Sequence, residues 1–474
     1  MPKAFYITTT LPYVNADPHI GFALEVIQAD VLARWHRLQG EEVFFNTGTD
    51  EHGQKILEAA KKNNREAIEY VNHYAAEFQK LKAALNLSND TFVRTTDSTH
   101  CAAAAEMWRR CEAAGDIYKQ AYEGLYCVGC EKFLTDREMA DGHCLIHSTA
   151  PARLKEENYF FHFSKYQAAL EAYLARPGVI VPEWRREEAL SFVAEGLQDF
   201  SISREKARLA WGIPVPSDDT QIMYVWFDAL TNYISTLGWP SANFEKFWVN
   251  GTTLQLAGKD QVRFQSLIWQ AMLLSAGIKN TDTVFYHGFI NSGGQKMSKS
   301  LGNVINPLDL VAEYGTDAVR YFLLRHVSPF EDSDVTLEKL KEWYNANLAN
   351  GLGNLVSRIM KLAATHLLAA PVIPPVSTSP ADCSAAIERF NLQEAMDLIW
   401  RMISELDKEM QETRPFEVVK TDPERGRSII SEMVVKLDAI GQILEPFLPA
   451  TAASIQNLIK TNQTPTQPLF PRKD

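Results

Sequence analysis

The sequence predicts an α/β protein: a Rossmann-like, doubly wound parallel sheet, split by an inserted segment and followed by an all-α helical bundle. Three observations carry this expectation. A strand–loop–helix rhythm begins at residue 4 and resumes near residue 221. A cysteine-bearing stretch interrupts it between about Gly115 and Pro214. Beyond about Asp334 only helical periodicities remain.

Residues 4–10 (AFYITTT) are aromatic and β-branched, as strands prefer, and break into a turn-rich stretch from Pro12 to Pro18. Ile20, Leu24, Ile27, Val31 and Leu38 then recur at helical intervals. Pro18 is acceptable near that helix start, where a missing N–H costs nothing. Residues 43–45 read as a second strand running into the loop TGTDEHG. Residues 221–226, 254–257 and 284–286 read as later strands of the same core. In the bundle, Leu392, Ala395, Ile399, Met402 and Leu406 form an apolar stripe. The Pro/Ser/Thr-rich residues 371–380 form a loop between helices, and the tail TNQTPTQPLFPRKD is irregular. The expected domains are therefore 1–114 (first half of the nucleotide-binding fold), 115–213 (connective insertion), 214–335 (second half) and 336–474 (helical bundle).

The length of 474 residues suits about three domains. It is also enough to bury a large core without disulfides. No stretch of about 18 uncharged apolar residues is present, so no membrane span is expected. The N-terminal residues lack an apolar signal core with a small-residue cleavage site, which points to a cytoplasmic protein. The net charge of -12, from 47 basic and 59 acidic residues, argues against broad nucleic-acid binding. An acidic chain still holds RNA through local basic patches, selectively and with sensitivity to salt.

Three segments carry chemistry. Pro18-His19-Ile20-Gly21-Phe22 sits at a strand–turn–helix junction, where free N–H groups and a helix dipole favour phosphate. The other reading of this segment is a capping turn. Lys296-Met297-Ser298-Lys299-Ser300, flanked by Gly293, Gly294 and Gly302, sets two ammonium groups on a loop able to close on a polyphosphate. The other reading there is a solvated basic loop.

The third segment is Cys127-Val-Gly-Cys130 … Cys144-Leu-Ile-His147. Its two ligand pairs suit a tetrahedral structural zinc held by three thiolates and one imidazole. His143 competes with His147, but the C-x-x-H spacing mirrors C-x-x-C and favours His147. Cys101, Cys111 and Cys383 read as inert buried thiols.

The first two segments resemble the HIGH and KMSKS signatures of class I aminoacyl-tRNA synthetases. Further segments resemble methionyl-tRNA synthetases in their family order: Leu11-Pro12-Tyr13-Val14-Asn15, Thr47 through Gly53, Tyr224 through Ala229, and Gly258-Lys259-Asp260. The likeness runs from about Phe5 to about Leu448.

This resemblance implies attack of the methionine carboxylate on the α-phosphate of ATP, followed by transfer to tRNA(Met). Rate would come from positioning and charge stabilisation, with no side-chain nucleophile. It implies catalytic roles for His19, Lys296 and Lys299, and an ATP site of His19, Gly21, Phe22, Gly258, Asp260, Lys296, Met297, Ser298 and Lys299, with Mg²⁺ travelling on the ATP. Methionine would be met by Leu11, Tyr13, Trp226, Ala229, Tyr233, Gln261 and Gln265, with Asp50 on its α-ammonium. Asn354 and Arg358, four apart on one helix face, and Phe416 would read the anticodon. The other reading of those three is an interior polar pair and a core ring. The chain lacks the extra RNA-binding or dimerising domain some relatives append, which implies a monomer.

Phe22 stands where the family has a second histidine, so its phosphate contact is vacant or supplied elsewhere. Gln265 replaces a usual histidine, Gln261 a usual apolar residue and Phe416 a usual tryptophan. These changes leave room for a paralogue that adenylates methionine or an analogue without tRNA. A catalytically dead, zinc-bearing RNA-binding protein is the third reading.

Overall fold

A computed structural model describes residues 2–129, 132–134, 138–146, 148–297, 302–373 and 380–473. The chain divides into two compact units, the first made of residues 1–18, 36–80 and 88–287 and the second of 19–35, 81–87 and 288–474.

The first unit is built on a six-stranded, all-parallel sheet. Its strands are β1 (Ala4–Thr8), β2 (Glu42–Thr49), β3 (Thr91–Arg94), β4 (Ile180–Val181), β5 (Thr252–Gly258) and β6 (Thr283–His287). Their order is β3-β2-β1-β5-β6-β4. The order reverses at β1, which lies between β2 and β5. In open α/β sheets the crevice beyond the carboxyl ends at such a point is where ligands bind. The loops leaving β1, β2 and β5 carry Leu11 and Tyr13, Asp50, and Asp260 and Gln261 respectively.

Three features differ from the sequence reading. The strand expected at 221–226 ends at Met223, belongs to a separate three-stranded antiparallel sheet, and gives way to a helix from Val225. Strand β2 continues through Asn46, Thr47 and Thr49, polar residues that an apolar pattern cannot flag. They are buried because their side chains find partners: the Thr9 and Thr47 hydroxyls pair at 2.8 Å, and Asn46 Nδ2 donates to Asn232 Oδ1 at 3.3 Å. Strand β4 comes from inside the 115–213 stretch and pairs with β6, so that stretch also extends the central sheet. The rest of the stretch forms a four-stranded sheet containing Ile117–Cys127 and Ala152–Phe161 as an antiparallel pair. Its start is fastened by the buried Asp116 carboxylate, which accepts from Lys165 Nζ at 2.5 Å, Ser275 Oγ at 2.8 Å and the Tyr166 hydroxyl. Trp108, Trp248, Trp269, Phe161, Phe227 and Tyr233 fill the core around the main sheet.

The second unit is mainly helical. The long helix Ile20–Leu38 begins in it, and Thr316–Arg325, Asn354–His366, Leu392–Thr413, Pro423–Leu444 and Pro449–Thr461 follow. The stripe anticipated on Leu392–Thr413 is buried at Leu392, Ala395, Ile399 and Leu406, with Ile403 taking the inward place beside Met402. Among the described residues the last strand is Ser333–Asp334, as the loss of strand signals implies.

A fully buried ion pair organises this unit. Arg320 reaches Asp30 Oδ2 at 2.8 Å and donates to the carbonyls of Phe447 (2.7 Å), Pro446 (2.9 Å) and Leu85 (3.1 Å). Arg34 Nε adds a second donor to Asp30 at 2.8 Å. The fork of guanidinium N–H groups is what lets one side chain join a helix, a loop and the turn before Pro449–Thr461. Removing one partner of such a pair leaves an uncompensated buried charge. Asp30→Ala is therefore expected to destabilise this unit by about 3–5 kcal/mol, read from the denaturant unfolding midpoint.

His326 stacks on Trp343 with ring centroids 4.0 Å apart. Burial, helped by the adjacent Arg325 charge, pushes its pKa down to about 4. The unfolded chain, with a histidine pKa near 6.5, binds more protons between those values. Stability should therefore fall as pH drops from about 6.5 to about 4. His326→Phe is expected to flatten that limb of a pH–stability curve.

Candidate active site

In the first unit, backbone pairing continues past the ends of β1 and β2. The Asp50 N–H donates to the Pro12 carbonyl at 3.0 Å and the Val14 N–H to the Asp50 carbonyl at 3.2 Å, a parallel bridge between Tyr13 and Asp50. Tyr13 and Asp50 are thereby set side by side, and Asp50 is only 4% exposed. The next residue locks the loop. Glu51 takes both arms of Arg94 (2.7 and 2.8 Å) and the hydroxyls of Thr49 and Thr96.

The aromatic wall comes from two short helices. Val225–Leu230 carries Trp226 and Ala229, and Asn232–Ser235 carries Tyr233. Trp226 stacks on Phe264 at 3.8 Å with nearly parallel rings. Tyr233 is held at both ends: Tyr6 donates its hydroxyl to the Tyr233 carbonyl at 2.7 Å, and Gln265 Nε2 donates to the Tyr233 hydroxyl. Gln265 thus engages the pocket tyrosine, and its Oε1 is buried with no hydrogen-bond partner among the described residues. Gly258 closes β5 in an extended conformation, and the exposed Asp260 accepts from Gln261 Nε2 at 3.1 Å.

Sequence reasoning passed over several residues here. Phe264 sits next to Gln265, and its aromatic character was the available signal. His52 and Asp228 lie inside the segments Thr47–Gly53 and Tyr224–Ala229, and they bond each other at 2.7 Å. Their partner His100, on helix Ser98–Ala113, carried no local signal at all.

The second unit holds the two signature segments. The Gly21 N–H donates to His19 Nδ1 at 3.1 Å. In a neutral ring the proton then resides on Nε2, and His19 is exposed at the helix start. The Ile20 N–H is taken by the Ile305 carbonyl at 3.0 Å. A methyl group on Gly21 would lie 2.9 Å from His19 Cε1 and 4.0 Å from Met297 Cε, so the two signatures are neighbours. Phe22 is 8% exposed and belongs to the buried core. Lys296 lies opposite Asn291 in a hairpin turned by Gly293 (φ +62°) and Gly294 (φ +73°), conformations that glycine adopts freely. Ser298 and Lys299 lie outside the described residues.

Asn354 opens its helix in an exposed position, and Arg358, one turn on, is half-buried and bonds Asp407 at 2.8 Å. Phe416 is 40% exposed, with the Arg414 guanidinium 6.0 Å from its ring, so it is not a core residue. In the insertion, Cys127 and Cys144 are buried together with Leu134 and Met139, and neither is in a disulfide. His143 is exposed and contacts the Asp141 carbonyl at 2.8 Å. Cys130 and His147 lie outside the described residues.

The first unit has a parallel sheet with its switch point at β1 and, on the loops and short helices around it, aromatic residues and the buried Asp50; the second has His19 at a helix start near Met297; these are features of the Rossmann-type class of enzymes. Residues 5–144 and 137–360 match the family model described as tRNA synthetases class I (M). The methionine–tRNA ligase of Fusobacterium nucleatum is 38% identical over 96% of this chain and 74% of its own length. That of Thermosynechococcus vestitus is 47% identical over 77% of this chain and 70% of its own. The structure of the Mycobacterium tuberculosis methionyl-tRNA synthetase in complex with methionyl-adenylate superposes with a TM-score of 0.90 at 36% identity, covering 99% of this chain and 100% of that one. The chain belongs to the methionine–tRNA ligase family of the class I tRNA synthetases.

Gly21→Ala tests the arrangement at the helix start. Its Cβ would displace the His19 ring and break the bond to the Gly21 amide. Adenylate formation is expected to slow by about tenfold or more, with methionine affinity measured by calorimetry unchanged.

Proposed function

We propose that this enzyme couples L-methionine to ATP, giving methionyl-adenylate and pyrophosphate, and then passes the methionyl group to the 3′-terminal adenosine of tRNA(Met). The observation that carries this reading is the pairing of His19 with the Gly21 amide beside Met297 in a chain of this family. His19 Nε2–H and the helix start would hold the phosphates, Gly21 admitting the nucleotide close to the backbone. Gly258 and Asp260 would serve the nucleoside. Lys296 and Lys299 would stabilise charge building on the leaving pyrophosphate. ATP would bring Mg²⁺ with it, the cation neutralising phosphate charge. Phe22 is buried in this chain and carries no polar side-chain group, so the phosphate contact would fall to His19 and the helix start.

Asp50 would receive the methionine ammonium. Leu11, Tyr13, Trp226, Ala229, Tyr233 and Gln261 would enclose the side chain, aromatic rings being suited to a polarisable sulfur. Gln265, bonded to Tyr233, replaces a histidine with a side chain that does not titrate. One methylene in an apolar pocket is worth only about 1–3 kcal/mol, so homocysteine should compete.

Asn354, Arg358 and Phe416 would meet the anticodon; the exposure of Asn354 and Phe416 supports this. Cys127, Cys130, Cys144 and His147 would hold a zinc that fixes the fold of the loop-rich knuckle; the shared burial of Cys127 and Cys144 fits such a site. The domains would be 1–114, 115–213, 214–335 and 336–474, in a cytoplasmic monomer; no helix among the described residues is long and apolar enough to cross a membrane.

The test is methionine-dependent ATP–pyrophosphate exchange beside charging of a tRNA(Met) transcript. Both activities are expected. Exchange without charging would point to the adenylating paralogue, and neither activity to an RNA-binding protein. Lys299→Ala is expected to lower the single-turnover rate of adenylate formation by about 10²-fold or more while leaving methionine affinity intact. An unchanged rate with weaker binding would contradict the role given to Lys299.

A further inference from the structure

One buried carboxylate links the loop that carries Asp50 to the short helices that carry Trp226 and Tyr233. Asp228 is fully buried. Its Oδ2 accepts from His52 Nδ1 at 2.7 Å and its Oδ1 from His100 Nε2 at 2.7 Å. His52 stands two residues after Asp50, on the loop that leaves β2. Asp228 itself lies on helix Val225–Leu230, two positions after Trp226 and one before Ala229. His100 continues through Nδ1 to Ser235 Oγ at 2.9 Å, and Ser235 shares a short helix with Tyr233. Ser235 Oγ in turn donates to the Asn232 carbonyl at 3.3 Å. Trp211 covers the outer side, its ring edge-on to His52 at 5.5 Å and its Nε1–H donating to the Glu51 carbonyl at 2.7 Å.

A carboxylate out of water is tolerated only when it is well paired. Burial works to raise the Asp228 pKa, but the two imidazoles outweigh it and hold the group below the ordinary carboxylate range. The anion therefore persists, and its two charge-assisted bonds are short and directional.

We propose that Asp228 is a positioning residue for the amino acid. Through His52 and His100 it sets the spacing between the ammonium partner Asp50 and the side-chain wall of Trp226, Ala229 and Tyr233. It need touch no substrate atom itself. The proposal rests on the methionine-activating reading above.

Asp228→Asn keeps the shape but replaces one acceptor oxygen with an amide that faces an imidazole donor. In ATP–pyrophosphate exchange the KM for methionine is expected to rise by about tenfold or more, because misplacement of about 1 Å costs up to about 10²-fold. The KM for ATP should stay unchanged. Discrimination against homocysteine, which lacks the terminal methyl, should shrink. His100→Gln, which breaks the relay to Ser235 but spares the carboxylate, should raise the same methionine constant by a smaller factor. A lowered melting temperature with both KM values unmoved would show a merely structural role and overturn the proposal. If Asp228→Asn proves insoluble, an unmoved methionine KM in His100→Gln overturns it alone. Wild-type enzyme without methionine-dependent exchange would overturn the methionine reading and this proposal together. Exchange in the wild type with unmoved constants in the variants overturns only the proposal.

Discussion

Two backbone hydrogen bonds beyond the sheet set Asp50 beside Tyr13 in the first unit. The exchanges between Asp50 and Pro12 and between Val14 and Asp50 carry the pairing of β1 and β2 past the last strand residues. A carboxylate and an aromatic ring are thereby placed just past the ends of adjacent strands at the switch point, where an open parallel sheet has its natural crevice. The surroundings of that bridge hold it in place. Glu51 is saturated by Arg94, Thr49 and Thr96, and the Trp211 indole caps the Glu51 carbonyl. Buried polar networks of this kind specify one geometry only when each member is satisfied.

The second unit has its own fixed point, the start of a long helix, where the Ile20 amide is taken by the Ile305 carbonyl and the Gly21 amide by His19 Nδ1. Gly21 is small enough for the His19 ring to fold back onto its amide. Midway along the same helix Asp30 is bound to Arg320, and Arg320 to the carbonyls of Pro446 and Phe447. The helix that begins at Ile20 is therefore tied to the helical part of its own unit by a buried charge pair, an expensive device unless its geometry is complete.

How much of this was legible in the sequence depends on how local each signal is. Strand β1, helix Ile20–Leu38 and the stripe on Leu392–Thr413 show unbroken apolar patterns, and all three form as anticipated. Strand β2 was read too short because Asn46, Thr47 and Thr49 are polar residues buried by partners remote in sequence. Strand β4 is two residues long and owes its place to β6, which no window around Ile180 reveals. The same holds for the site. Asp50, Tyr13, Trp226 and Tyr233 were singled out by motifs, each within one local segment, whereas the partnership of Asp228 with His52 and His100 spans 176 and 128 residues. Gln265 was noticed as a departure, but only its bond to Tyr233 explains what the glutamine does.

The central claim is that Asp50 receives the α-ammonium of methionine at the end of the β1–β2 bridge. A double-mutant cycle by calorimetry tests it directly, titrating wild type and Asp50→Ala with methionine and with an analogue whose α-ammonium is replaced by hydrogen. A hydrogen-bonded charge pair predicts a coupling of about 2 kcal/mol, the analogue losing affinity only in the wild type. Equal losses in the two proteins, giving no coupling, would contradict the account.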